Sequence, residues 1–172
     1  MVKGHLEPDD LIERVVEMGA EEAKVISPEN VFTAEWVRLK CQFGCGGYGK
    51  RLTCPPYSPT PEQTERALMD YEKALLIHFP SDVEHLKTAM ADLEREAFLS
   101  GYYKAFAMGA GPCYLCEECE VESGCVYPHK ARPAMEACGI DVYRTAREAG
   151  FTIEVVEDHC CTQNYYGLLL LE

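Results

Sequence analysis

Four cysteines fall within thirteen residues, Cys113, Cys116, Cys119 and Cys125, and their spacing suits one chemistry above others. Each iron of a 4Fe-4S cubane takes one thiolate, and a ligand at every third residue lets a tight loop reach adjacent corners of the cluster. The first three cysteines have the C-x2-C-x2-C spacing of a bacterial ferredoxin run. The fourth comes after five intervening residues rather than three, and Pro128 stands three residues beyond it instead of next to it. Cys125 is the expected fourth ligand, with Cys138 as the spare. Structural zinc is the rival, but zinc knuckles usually come as two separated C-x2-C pairs, whereas here the pairs overlap in one triple.

A second group, Cys41, Cys45 and Cys54, supplies three thiolates in a stretch that also holds Gly44, Gly46, Gly47 and Gly49. Glycine density marks a loop whose backbone can come close to a cofactor. Three thiolates on a metal or cluster leave one coordination position for substrate or water, unless Cys138, His159, Cys160 or Cys161 closes it. Lys50 and Arg51, just before Cys54, are the candidate cofactor-binding bases, placed to attract an anionic ligand. Arg38, Lys40, Lys130 and Arg132 also stand beside cysteines, where they either offset thiolate charge or form a solvated surface.

Other residues carry less. His159-Cys160-Cys161 reads as a structural or spare group. Gly109-Ala110-Gly111 is a fragment of a dinucleotide fingerprint without its third glycine or helix start. His78 lies inside an apolar run and reads as a core residue, and Tyr48 and Tyr57 flank the second cysteine group as shields or packing.

The elements that must hold these groups follow from periodicity and caps. Pro8-Asp9-Asp10 opens a helix with Leu11, Ile12, Val15 and Val16 on one face, and residues 23–26 form a short strand. The segment through Trp36 then leads into the glycine-rich cysteine loop. Thr60, Pro61 and Gln63 start a helix to about Tyr71. Residues 74–79 are continuously apolar, as in a central strand buried on both faces. Ser81 and Glu84 cap a long helix carried by Val83, Leu86, Met90, Leu93 and Ala97 to Gly101. A strand over 102–108 runs directly into the four-cysteine loop, Asp141 caps a helix ending at Gly150, and strands over 152–156 and 165–171 complete the set. The expected fold is α/β, a layered sandwich with a mostly buried mixed sheet, flanking helices and cysteine-rich cluster-binding loops.

With 172 residues, 47% of them apolar, the chain reads as a single domain over 1–172. Ten cysteines with no secretory leader pattern favour ligands over disulfides and a cytoplasmic protein. No run approaches the roughly 18 apolar residues of a membrane span. Sixteen Lys and Arg against 29 Asp and Glu give a net charge of −13, which repels a phosphate backbone and argues against nucleic acid as a partner.

Taken together, Cys41-x3-Cys45, the Tyr48–Tyr57 segment with Cys54-Pro55-Pro56, Gly111-Pro112-Cys113-x2-Cys-x2-Cys and the run from Arg132 to Val142 resemble a family of predicted metal-binding, cysteine-rich proteins of unknown function, found largely in anaerobic bacteria and archaea. The resemblance implies metal binding and iron-sulfur chemistry at Cys41, Cys45, Cys54, Cys113, Cys116, Cys119 and Cys125, and leaves Cys160 and Cys161 outside the matching part. The expected function is that of an iron-sulfur protein with one or two 4Fe-4S clusters, acting in electron transfer or as a small redox or lyase enzyme. Its partner would be a redox protein or a small anionic substrate. A zinc-stabilised binding module without redox activity is the alternative.

Overall fold

The computed structural model describes residues 4–80, 82–158 and 161–172. Four strands, β1 (Glu22–Ile26), β2 (Ala74–Pro80), β3 (Phe106–Met108) and β4 (Asn164–Leu170), form one sheet in the order β1-β2-β4-β3. All three pairings are antiparallel, where a mixed sheet was expected. The reason is topological. β2, the helix α4 (Val83–Ser100) and β3 form a βαβ unit whose two strands run parallel to each other, but the C-terminal β4 inserts between them and pairs antiparallel with both. One parallel bridge, Gly109 with Ala134, lies just beyond β3 and outside the sheet strands.

β2 is central and its first four residues are wholly buried, as its apolar run requires. Leu75, Ile77 and Phe79 point to one face and Ala74 and Leu76 to the other, the alternation that lets one strand serve two cores. On the first face lie α4 and α1 (Pro8–Glu17), whose Leu11 and Val15 pack among Leu86, Met90, Leu93 and Ala97. The Glu7 N–H donates to Asp10 Oδ2 at 2.8 Å and fixes the start of α1. The start of α4 is capped by Asp82, which accepts from the His85 N–H at 2.9 Å; the expected cap Ser81 lies outside the described residues. Tyr102 to Ala105 form a turn closing α4 rather than the beginning of β3, because the Tyr102 N–H bonds back to Ala97 O at 3.1 Å.

The second face is covered by α3 (Pro61–Leu68), a short 3-10 helix (Glu136–Cys138) and α5 (Val142–Glu148). Thr60 and Gln63 cap α3 reciprocally, at 3.2 and 2.8 Å, and Asp141 caps α5 by accepting from the Arg144 N–H at 3.0 Å. Met135, Cys138, Ile140, Ala146, Leu168 and Leu170 fill the core between these elements and the sheet. Residues 152–156 form no strand: Phe151 and Ile153 enter this core, while Val155 and Val156 stay exposed without a ladder partner.

The chief departure from the sequence reading is α2 (Glu35–Gly44), a helix where a loop was expected. Its buried Val37 faces the 3-10 helix, and Arg38 Nη1 ties the two together by donating to Ala137 O at 3.0 Å and to Pro59 O at 2.8 Å. Among the described residues, no helix is long and apolar enough to cross a membrane.

Candidate metal centre

Cys41 lies on the last full turn of α2 and Cys45 is the residue that caps its C-terminus. The C-x3-C spacing places Cys45 one turn beyond Cys41, where the chain leaves the helix in an extended conformation, and both residues line the same cavity. Cys54 comes up from the following turn, closed by Cys54 N–H to Arg51 O at 2.9 Å and by Tyr57 and Ser58 N–H groups to Cys54 O at 3.0 and 3.1 Å. Gly47 sits where the two arms meet. A Cβ there would lie 3.3 Å from Cys54 Sγ and 3.7 Å from Cys45 Sγ, so a side chain would press on the Cys54 sulfur. The Gly47 N–H donates to Cys45 Sγ at 3.5 Å, the kind of N–H···S contact that stabilises thiolate charge.

These three cysteines line one cavity of about 490 Å³, whose walls also include Trp36, Lys40, Tyr48, Glu136, Tyr143 and Tyr165. Cys54 is buried, Cys41 half-buried and Cys45 exposed. Burial pushes the Cys41 and Cys54 thiols up from their ordinary range, and the negative charge of Cys45 adds to the effect on both. Burial likewise pushes the Glu136 carboxyl up, and its Oε2 is enclosed with no hydrogen-bond partner among the described residues. Glu136 was not singled out from the sequence. The clue was there: it is the one charged residue in the apolar run Ala134-Met135-Glu136-Ala137-Cys138.

The other four cysteines lie in an irregular segment between β3 and the 3-10 helix. Cys113, Cys116, Cys119 and Cys125, all half-buried, line a single cavity of about 20 Å³ together with Arg51, Leu52 and Thr53. The Leu52 N–H donates to Cys119 Sγ at 3.5 Å and Arg51 Nη1 to Cys116 O at 3.4 Å. Two cations lie over the ring of Tyr114, Arg51 at 5.0 Å and Lys87 at 4.4 Å, and Lys87 Nζ donates to Pro112 O. Downstream of Cys125, Arg132 forms an ion pair with Glu94 and donates to Pro128 O at 3.0 Å, while Glu94 Oε2 accepts the Ala107 N–H at 2.7 Å. Both ends of the cysteine segment are thus bound to α4.

The two groups are neighbours. A Cβ on Gly47 would also touch Pro112 at 3.3 Å, and the negative charge of Cys113 is among the causes that raise Cys54. Residues 47–54 form the partition between them. Arg51 consequently lies on the four-cysteine side, Lys50 points to solvent, and the lysine in the three-cysteine cavity is Lys40.

Of the spare cysteines, Cys138 is fully buried in the core, does not line the three-cysteine cavity, and has its thiol pushed up to about 12 by burial. Cys161 is exposed and donates to Asp158 Oδ1 at 3.4 Å. His159 and Cys160 lie outside the described residues. His78, expected in the core, is half-buried: its Nε2 pairs with Asn164 Oδ1 at 2.7 Å and its Nδ1 lies 3.4 Å from Glu21 Oε2. Among the described residues, no three His, Cys, Asp or Glu side chains converge on the position of one metal ion.

An antiparallel α/β sandwich that gathers seven cysteines at one end, in two adjoining groups, has the donor set of a metal-binding protein. The family model described as predicted metal-binding protein (DUF2284) matches residues 24–171, and the chain belongs to that family. No curated protein and no solved structure matches it.

Proposed function

We propose that this chain is an iron-sulfur electron-transfer protein, holding a 4Fe-4S cluster through Cys113, Cys116, Cys119 and Cys125 and a second centre through Cys41, Cys45 and Cys54. The observation that carries the reading is that Cys113, Cys116, Cys119 and Cys125 line one cavity, the first three in a C-x2-C-x2-C spacing that can reach adjacent corners of a cluster. A single zinc ion gathers its four sulfurs at about 2.3 Å from one centre, whereas a cubane spreads them, one to each iron. Thiolate softness agrees with iron-sulfur ligation. When bound, the cluster supplies a one-electron carrier.

The chain's own residues have definable parts in this reading. The Leu52 and Gly47 N–H groups stabilise the more negative, reduced state of each centre, and the cations Arg51 and Lys87 act in the same direction on the four-cysteine side. The short partition supports electron passage between the centres. Exposed Glu117, Glu118, Glu120 and Glu122 surround the four-cysteine segment, which favours a basic redox protein over an anionic substrate as the partner at this end.

The test is anaerobic isolation followed by metal and sulfide analysis. Iron and acid-labile sulfide in near-equal amounts, about 7 to 8 of each per chain, is the result expected of two cubanes. Stoichiometric zinc without sulfide overturns the proposal in favour of a zinc-stabilised module.

A further inference from the structure

Glu136 is the residue whose position the packing does not explain. Its Oε2 is enclosed, without a hydrogen-bond partner among the described residues, in the wall of the cavity that Cys41, Cys45 and Cys54 also line. An unpaired buried carboxylate oxygen is costly, and such groups in native proteins call for an ion or a function. Here its neighbours make the matter worse. Metal-free, the site would bring a carboxylate toward three thiols that are themselves acidic groups, with Lys40 the one cation among the described residues lining the cavity and Arg38 acting on Cys41 from beside it. The two chain segments are in contact, because the Cys41 thiol donates to the backbone carbonyl of Glu136 at 3.9 Å and Glu136 lines the same cavity as Cys41.

We infer that Glu136 is the fourth protein donor of the second centre, making it a mixed site of three thiolates and one carboxylate that takes an iron-sulfur cluster with one oxygen-ligated iron. This rests on the proposal that Cys41, Cys45 and Cys54 hold a cluster. A cation at the carboxylate accounts at once for the orphan oxygen, the negative donor set and the missing fourth cysteine. Of the candidates from the sequence that lie among the described residues, Cys138 sits in the core, outside the cavity, and Cys161 is exposed and bonded to Asp158; His159 and Cys160 lie outside the described residues. A carboxylate is a harder ligand than the thiolates that iron-sulfur clusters ordinarily take, so the cluster iron it holds is the first to leave.

The experiment compares wild type, Glu136→Gln, Glu136→Cys and Cys41→Ser after anaerobic reconstitution with ferrous iron and sulfide. The readouts are iron per chain, the rate of iron release to a chelator and the electron paramagnetic resonance spectrum of the reduced protein. Glu136→Gln is isosteric and removes a buried charge, so it should fold, and Glu136→Cys offers a thiolate from the same backbone position on a shorter side chain. The expected result is an iron fraction that leaves Glu136→Gln at least about tenfold faster than wild type, the scale on which site partners alter metal affinity. Glu136→Cys should retain that iron more firmly than wild type, with a changed spectrum. Identical release rates and spectra in wild type and both Glu136 variants, with the centre lost in Cys41→Ser, overturn the role of Glu136 while leaving the second centre standing. Full iron and an unchanged spectrum in Cys41→Ser overturn the three-thiolate centre, and the inference about Glu136 with it.

Discussion

Gly139 couples the fold to the proposed second centre, and replacing it should show how tightly. Gly139 follows the 3-10 helix that bears Glu136, at φ +78°, and a Cβ built there meets the Pro61 ring, with Pro61 Cβ at 2.9 Å, Pro61 Cα at 3.0 Å and Cγ closer still. Two penalties combine. The left-handed conformation costs a non-glycine residue about 1–2 kcal/mol, and forcing a methyl against a rigid ring and backbone adds about 1–3 kcal/mol. Gly139→Ala should therefore lose about 2–5 kcal/mol, or about 5–15 °C of melting temperature for a chain of this size. Two other glycines separate the terms. Gly49, at φ +69° with nothing within 4 Å of a new Cβ, bears only the conformational penalty, so Gly49→Ala should lose about 1–2 kcal/mol. Gly46 has neither positive φ nor a neighbour within 4 Å, so Gly46→Ala should stay within about 0.5 kcal/mol of wild type. Urea and thermal unfolding of the anaerobically purified proteins measure the series. Relief of the clash also moves the 3-10 helix, since Gly139 O accepts the Ala34 N–H at 2.9 Å and the Gly139 N–H donates to Glu136 O at 2.9 Å, so Gly139→Ala should hold iron less well than the other two. If Gly139→Ala is no less stable than Gly49→Ala, the close packing of this turn on Pro61 is wrong.

Two further outcomes follow from burial. Cys138→Ala should cost about 1 kcal/mol as a small core truncation and leave iron content unchanged, so loss of iron in that variant would make Cys138 a ligand. Tyr166, whose Oη is buried without a partner among the described residues, has its hydroxyl pushed up to about 12 by burial, against about 10 in an unfolded chain. A raised folded value means that the stability it contributes is complete below pH 10 and is lost as pH rises from about 10 toward 12. Tyr166→Phe should match or exceed wild type in melting temperature at pH 7 and lose less of it on titration to pH 11; a marked loss at pH 7 would show that the hydroxyl has a partner.

The two groups of cysteines, the central buried strand and most of the helices were legible in the sequence, because these are local properties. C-x2-C-x2-C is read within one turn of chain, the caps at Thr60 and Asp141 within three residues, and the apolar run of β2 within one strand length. The sequence reading misjudged α2, since the glycines beyond Cys41 obscured the helix that carries Cys41 and is capped by Cys45. Whatever depends on contacts distant in sequence was decided by the tertiary structure alone. The insertion of β4 between β2 and β3 makes the sheet antiparallel, although local order suggests parallel crossovers. The same packing sends Arg51 and Leu52 to the four-cysteine cavity and sinks Cys138 into the core. It also brings Glu136 to Cys41, a residue 95 positions away in the chain, because α2 and the 3-10 helix close over one flank of the sandwich and bury a carboxylate whose role no local pattern could specify.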